Sequence, residues 1–306
     1  MRPIAEAYKD FPILHKEHNG HRVIYLDSGA TAQIPQSVID RVVEHMTQRN
    51  GNPHRGSHIL AIEASEDYEN ARDRVVEFIN AREREEVIFT RNSTESMNLI
   101  AHSYGLHNVK KGDKIVITVA EHHANLVTWQ YVAEQTGATL EYMYLDEHGH
   151  LKDGEINKID EKTKIVAFAH VSNVLGMEFP VKELTEKAHS VGAIVVLDGA
   201  QSTPHKKIDV QALDCDFFVF SGHKMCASQG IGVLYGKRDL LETMPPFLLG
   251  GDMIEYVKEQ TATFNELPYK FEAGTPNADG AVSLHAAIDY LESFGMDAIE
   301  AYEEEL

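Results

Sequence analysis

At 306 residues, 43% of them hydrophobic, the chain can bury a substantial core, as one large domain or as a large domain with a smaller companion. Its formal net charge of -20 repels nucleic acid and anionic membrane surfaces, which leaves small molecules and other proteins as the expected partners. No apolar run is long enough to span a bilayer, and the N-terminal Met-Arg-Pro-Ile-Ala-Glu-Ala-Tyr-Lys-Asp mixes acids and bases where a signal peptide needs an apolar stretch. Two cysteines, Cys215 and Cys226, are too few for a disulfide framework, so a reducing, cytoplasmic compartment is the expectation.

Short β-rich runs alternate with amphipathic ones, the pattern of an α/β protein with a largely parallel sheet. In chain order the apolar spacing predicts a strand over 23–26, helices over 36–49 and 66–80, a strand over 86–90 and a helix over 94–103. A strand over 114–119 and a helix over 126–135 follow, then strands over 140–145 and 164–170, and a helix over 181–190. Strands over 193–197, 217–220 and 232–235 complete the series. The segment 250–276, punctuated by Gly, Pro and aromatics, reads as an ordered excursion that could reach over a site. A helix beginning near Ala281 passes Gly295 into 297–306, whose last turn holds Glu303, Glu304 and Glu305. Carboxylates there oppose the helix dipole, which fits a helix cut in mid-run or a frayed acidic tail.

Chemistry-bearing residues sit just past the strand runs, where open α/β sheets bind ligands. Asp198 follows 193–197 and Lys224 follows 217–220. A lysine amine can hold a cofactor aldehyde as a Schiff base, while a carboxylate beside a pyridine nitrogen keeps the ring an electron sink; the pair therefore reads as a pyridoxal phosphate site. Asn92-Ser93-Thr94-Glu95 opens a helix with the spacing of a capping box, and free amides there welcome a phosphate. Within 121–125, His122 could lie flat over an aromatic cofactor, and Asn173 within 171–176 could donate to the phenolic oxygen of such a ring. There is no G-x-G-x-x-G, no G-x-x-x-x-G-K-[ST] and no H-E-x-x-H, so dinucleotide, P-loop and zinc readings lose ground and no metal site is expected.

Together these residues resemble the group II cysteine desulfurases of the Suf iron–sulfur assembly system, within the class V aminotransferase group of fold type I. The similarity runs through Tyr25-Leu26-Asp27-Ser28, His54-Arg55-Gly56, Phe78-Ile79-Asn80-Ala81, 121–125, 170–176, Asp198-Gly199-Ala200-Gln201, 213–217, 221–224 and 271–276. It implies the large domain of a pyridoxal-phosphate-dependent transferase, a mostly parallel mixed sheet with helices on both faces. By position, Lys224 would be the Schiff-base lysine and the base that moves the α-proton, Asp198 the partner of the pyridinium nitrogen, and His122 the stacking imidazole. Asn173 and Gln201 would contact the phenolic oxygen. Thr94, Ser221 and His223 would hold the phosphate, helped by Thr275 from the other subunit of a homodimer, with His54 and Arg55 near the substrate mouth. The implied reaction turns L-cysteine into L-alanine and leaves a persulfide on an enzyme cysteine, whose sulfur passes to a SufE- or SufU-like acceptor.

The sequence departs from this family in two places. The persulfide cysteine and the carboxylate-clamping arginine are expected in a C-terminal small domain after Leu306, and neither Cys215, at a strand entry, nor Cys226, two residues past Lys224, is a good substitute. The expected organisation is therefore 1–20 associated with the small domain, 21–280 as the cofactor-binding large domain, and 281–306 as the start of the connection to a missing part. Exposed apolar surface and low solubility would follow. In the second place, Ala227-Ser228-Gln229 stands where the family usually has Gly-Pro-Thr, which puts the loop beside Lys224 in question. The alternative functions are selenocysteine lyase and a non-catalytic, cofactor-binding partner in sulfur trafficking.

Overall fold

The computed structural model describes residues 3–306. Eleven strands and ten α-helices occur among them. The strands are β1 (Glu17–His18), β2 (His21–Arg22), β3 (Val87–Thr90), β4 (Lys114–Thr118), β5 (Thr139–Met143), β6 (Thr163–Ala169), β7 (Ile194–Asp198), β8 (Phe217–Ser221), β9 (Gly232–Gly236), β10 (Ile254–Val257) and β11 (Ala262–Phe264). The helices are α1 (Gln36–Gln48), α2 (Ile59–Ile79), α3 (Ser93–Ile100), α4 (Leu106–Asn108), α5 (His123–Thr136), α6 (Val181–Ser190), α7 (Val210–Leu213), α8 (Arg238–Thr243), α9 (Ala278–Phe294) and α10 (Met296–Glu305).

Seven strands make one mixed sheet in the order β3-β9-β8-β7-β6-β4-β5. Only β9 runs antiparallel, to β3 on one side and β8 on the other. The other neighbours are parallel, so the loops leaving β3, β8, β7, β6 and β4 all emerge along one edge. Alternating side chains feed two separate cores: Val195, Leu197, Phe218 and Phe220 go to one face, Ile194, Val196, Phe217 and Val219 to the other. The first core is closed by α1, α2, α6, α9 and α10, the second by α3, α5 and α8. With both faces covered, the strands are apolar throughout rather than alternating apolar with polar. A fully buried ring such as that of Phe218 contributes about 1.5–3 kcal/mol.

Close packing leaves no room for a side chain at Gly199, directly after β7, where an added Cβ would overlap the Phe218 ring. Gly199→Ala is expected to lower stability by about 1–3 kcal/mol and to disturb the neighbouring Asp198, which urea melting and cofactor titration will check.

Three expectations shift. Residues 23–26 are not a strand: Ile24 and Leu26 are exposed, and the segment is held instead by the Tyr25 hydroxyl donating to the Asp27 and Thr31 carbonyls. α2 starts at Ile59, because His58 caps it, its ring accepting the Ala61 N–H. α5 starts at His123 rather than Leu126, because His122 is its cap. The excursion 250–276 carries the β10–β11 hairpin, whose Tyr256 and Val257 are exposed.

Near the N-terminus, Ile4, Ala7 and Phe11 lie against the first core, Phe11 meets Tyr290 edge-on at 5.7 Å, and Tyr290 donates to Asp10. α10 is helical through Glu305, with Met296 and Ile299 buried and two of its acids partnered: Glu300 pairs with Lys206 at 2.9 Å and Glu303 meets the His205 ring at 2.8 Å. Those partners offset the unfavourable dipole and dock the helix on the loop that follows Asp198.

Candidate active site

Five strand ends deliver the site. After β3, the Asn92 side chain accepts the Glu95 N–H at 3.0 Å, while the Glu95 carboxylate turns back to the Arg91 N–H, so the capping box closes one residue earlier than its usual form. The Ser93 N–H donates to Ser221 Oγ at 2.8 Å and the two hydroxyls lie 2.7 Å apart, which joins the start of α3 to the end of β8. β9 begins close under this corner, and at Gly232 a Cβ would press on the Asn92 backbone.

After β8, Ser221 leads into a single 3-10 turn, Gly222–Lys224, anchored by the buried Met225 and by the Gly222 N–H bonding to the Ile231 carbonyl. His223 is fixed from the N-terminal side, its carbonyl accepting the Ala32 N–H and its ring lying 3.2 Å from the Thr31 hydroxyl. The unusual Ala227-Ser228-Gln229 is accommodated locally. Ala227 is buried, and the Ser228 N–H, which a proline would lack, donates to Ser283 Oγ on α9 at 2.6 Å.

After β7, Asp198 is buried and accepts the Ala200 N–H at 3.0 Å, and Gln201 donates to the Gly29 carbonyl at 2.8 Å. After β6, Ser172 holds the turn that exposes Asn173. After β4, His122 accepts the Ala124 N–H at Nδ1, which leaves Nε2 to carry the proton of the neutral ring.

These pieces enclose a cavity of about 430 Å³ lined by Thr94, His122, Asn173, Asp198, Gln201, Ser221, His223 and Lys224. Other cavities are larger, about 440, 530 and 650 Å³, but none of these contains the lysine and acid. Burial lowers the Lys224 amine below the usual lysine range, opposed by Asp198, and raises the Asp198 carboxyl, opposed by the Ala200 N–H and by Lys224. His122 and His223 are lowered, mainly by burial, so both rings are neutral at neutral pH.

Three residues expected near the site stand elsewhere in this single chain. Thr275 lines the 650 Å³ cavity, His54 pairs with Glu69 at 3.1 Å between Tyr68 and Tyr269, and Arg55 pairs with Asp252. None of the excursion 250–276 lines the Lys224 cavity. Two polar groups escaped the sequence reading. Ser93 has a role only because Ser221 is folded onto it, and Glu121 points into the protein rather than into the cavity. The latent signal for Glu121 was an acid straight after an apolar strand, spaced four residues from Asn125. Cys215 is fully buried with its thiol pushed up, and Cys226 is pushed up to about 12 by burial. Among the described residues no cluster of three potential metal ligands exists.

The family model for class-V aminotransferases matches residues 24–306. The chain belongs to that family. A probable cysteine desulfurase of Halalkalibacterium halodurans is 54% identical over 302 residues, covering 98% of this chain and 74% of the relative. The cysteine desulfurase of Haloferax volcanii is 49% identical over 310 residues, covering 96% and 72%. Among solved structures, apo cysteine desulfurase from Thermococcus onnurineus superposes with a TM-score of 0.93 at 41% identity, covering all of this chain and 74% of that one. The Escherichia coli cysteine desulfurase CsdA gives 0.90 at 38% identity. This class-V aminotransferase thus spans about three quarters of the length of the cysteine desulfurases it matches.

Pyridoxal 5'-phosphate is the cofactor of such enzymes, and the residues present fit it. Asp198 is a buried carboxylate without an ion-pair partner among the described residues, suited to a protonated ring nitrogen. The start of α3 offers its Thr94 amide, which has no partner among the described residues, beside the Ser221 hydroxyl, suited to a phosphate. Lys224 and Asp198 influence each other's charge without being in ion-pair contact, which leaves space between them.

Proposed function

We propose that this family member is a cysteine desulfurase of the iron–sulfur assembly type, acting on L-cysteine to give L-alanine and enzyme-bound sulfur. The observation that carries the reading is the meeting of Lys224 and Asp198 at one cavity beside the Thr94 and Ser221 corner. When bound, pyridoxal phosphate supplies an aldehyde for an amino group and a ring that withdraws electrons from the adjoining α-carbon. Lys224 would hold it through Nζ and, once freed, take the α-proton of L-cysteine; its lowered affinity for protons suits it to that task at neutral pH. Asp198 would keep the ring nitrogen protonated, His122 would lie against the ring face, and Asn173 and Gln201 would meet its phenolic oxygen. Thr94, Ser221 and His223 would take the phosphate, joined by Thr275 of a second subunit, with His54 and Arg55 near that contact. Positions of Thr275, His54 and Arg55 away from the cavity of their own chain agree with such a shared site.

The unit 21–280 would be the cofactor-binding domain, with 1–20 and 281–306 leading to a small domain that supplies the sulfur-accepting cysteine and a substrate-binding arginine. A SufE- or SufU-like protein would then receive the sulfur. Cys215, fully buried, and Cys226, partly buried, support this assignment because both thiols are pushed up and stay protonated, while the thiolate is the nucleophile. The same observation favours, for residues 1–306 alone, a cofactor-binding protein without turnover.

The test incubates the chain, and a version extended to the full length of its relatives, with pyridoxal phosphate, L-cysteine and a reductant. Alanine and sulfide from the extended protein, with cofactor uptake by both, is the expected result. Cofactor uptake without alanine from either would favour the non-catalytic role, and faster release from selenocysteine would favour a lyase.

A further inference from the structure

Glu121 is a charged residue type buried with no opposite charge. It is 8% exposed, and among the described residues no Lys, Arg or His stands within ion-pair distance of it. Its carboxyl is gripped from three elements: the Thr118 hydroxyl at the end of β4, the Asn125 amide of α5 at 2.6 Å, and the Ala169 N–H of β6. Asn125 is in turn fixed by the Trp129 indole N–H at 2.8 Å, and Thr118, Asn125 and Trp129 are all fully buried. The next residue in the chain, His122, lines the cavity, so this one turn sends an acid under the cavity floor and an imidazole to its wall.

The titratable groups around Glu121 are His122 and His123 on the turn itself, Asp198 on β7, Lys224 across the cavity, and His170 beside Ala169. His170 is turned away to Glu178 at 3.2 Å, and Lys224 and His122 act on Asp198. The charge that acts on Glu121 is Asp198, and it repels. Two buried carboxyls that repel cannot both ionise cheaply, and Asp198, which has the cation and the open cavity, keeps the charge.

We propose that Glu121 is a positioning residue of this site, a carboxylic acid kept un-ionised beneath the cavity, which leaves Asp198 as the single negative charge facing the cofactor ring and pins the turn that carries His122. The inference rests on the pyridoxal phosphate reading of the cavity. As an acid, Glu121 shares its proton with Thr118 Oγ across their short contact and accepts from Asn125 and Ala169. Burial and Asp198 together lift its carboxyl from 4.5 to about 8.

The sign of the pH effect follows. Unfolded, Glu121 loses its proton near 4.5; folded, it keeps it to about 8, so between these values the folded chain binds more protons and the contribution of Glu121 to stability falls as pH rises. Glu121→Gln has the shape of the neutral acid and never ionises. We expect the melting temperature of wild type minus that of E121Q to fall through this window and level off above it, with or without cofactor. A difference that stays flat, or that rises with pH, would overturn the proposal by showing an ionised acceptor. Should E121Q fail to fold, infrared spectra of the wild-type protein decide instead, through a protonated carboxyl band that persists to neutral pH and vanishes above about 8. Cofactor titration supplies the positional readout. Glu121→Ala, which frees Asn125 and the turn, is expected to weaken pyridoxal phosphate uptake about tenfold, while E121Q retains it. Equal uptake by all three would remove the positioning role. If wild type itself takes up no cofactor, the reading of the cavity fails, while the melting comparison still decides the charge state of Glu121.

Discussion

Lys224→Ala is expected to lose the covalently held cofactor and, in the full-length protein, to lower alanine formation by about 1,000-fold or more, the scale of removing a positioned acid–base group. Lys224 is the lysine among the residues lining the cavity, and its 3-10 turn is fixed by Met225 in the core and His223 against Thr31. Borohydride reduction followed by peptide mass analysis should find the cofactor mass on the Lys224 peptide of wild type and on no peptide of the variant. The phosphate contacts proposed for Thr94 and Ser221 would be untouched, so the variant should still bind the cofactor reversibly and lose it on dialysis. Covalent retention in the variant would show that a different lysine holds the cofactor and would sink the assignment.

The largest effect on stability is expected at Glu272. Arg72 is completely buried on α2 and reaches Glu272 through two bonds of 2.7 and 2.9 Å, the Val87 carbonyl at 2.8 Å and Glu69 at 3.1 Å. Its guanidinium also lies over the rings of Tyr68 and Phe89. Glu272 in turn accepts the Tyr68 hydroxyl and the Phe89 N–H. Glu272→Ala leaves a buried guanidinium, a hydroxyl and an edge-strand amide without their acceptor, and should cost about 3–5 kcal/mol, measured as a shift in the urea midpoint at unchanged slope. A loss below about 1 kcal/mol would mean that water enters and replaces the carboxylate. Because Glu272 lies three residues before Thr275, the variant should also loosen the segment proposed to serve the second subunit.

Much of the architecture was legible because the strands of a doubly covered sheet are apolar throughout, and 217–220 and 193–197 stand out in any reading. The site was legible for the related reason that Asp198 and Lys224 immediately follow such runs. What failed did so where tertiary contacts outweigh local pattern. Residues 23–26 have the composition of a strand but join neither end of the sheet, β3 or β5, because the Tyr25 hydroxyl ties the segment to the Asp27 and Thr31 carbonyls instead. The helix boundaries at Ile59 and His123 depended on histidine caps, His58 and His122, a residue type that rarely signals a start. The roles expected of Thr275 and Arg55 would need a second chain, which a reading of one sequence cannot place. Glu121 was invisible as a buried acid because its three partners come from separate elements.

The sheet order also constrains when the site can exist. Among the described residues β3 has β9 as its only neighbour, Ser93 finds Ser221 across 128 positions, and Thr31 finds His223 across 192. During synthesis, at about 5–20 residues per second, the Val-Ile-Phe strand therefore waits on the order of ten seconds or more with both edges bare before β9 emerges. Such an edge is a template for wrong pairing with other nascent chains, and the Ser93–Ser221 corner built on it cannot help to guide folding early. Cofactor capture is consequently a late event in the life of the polypeptide.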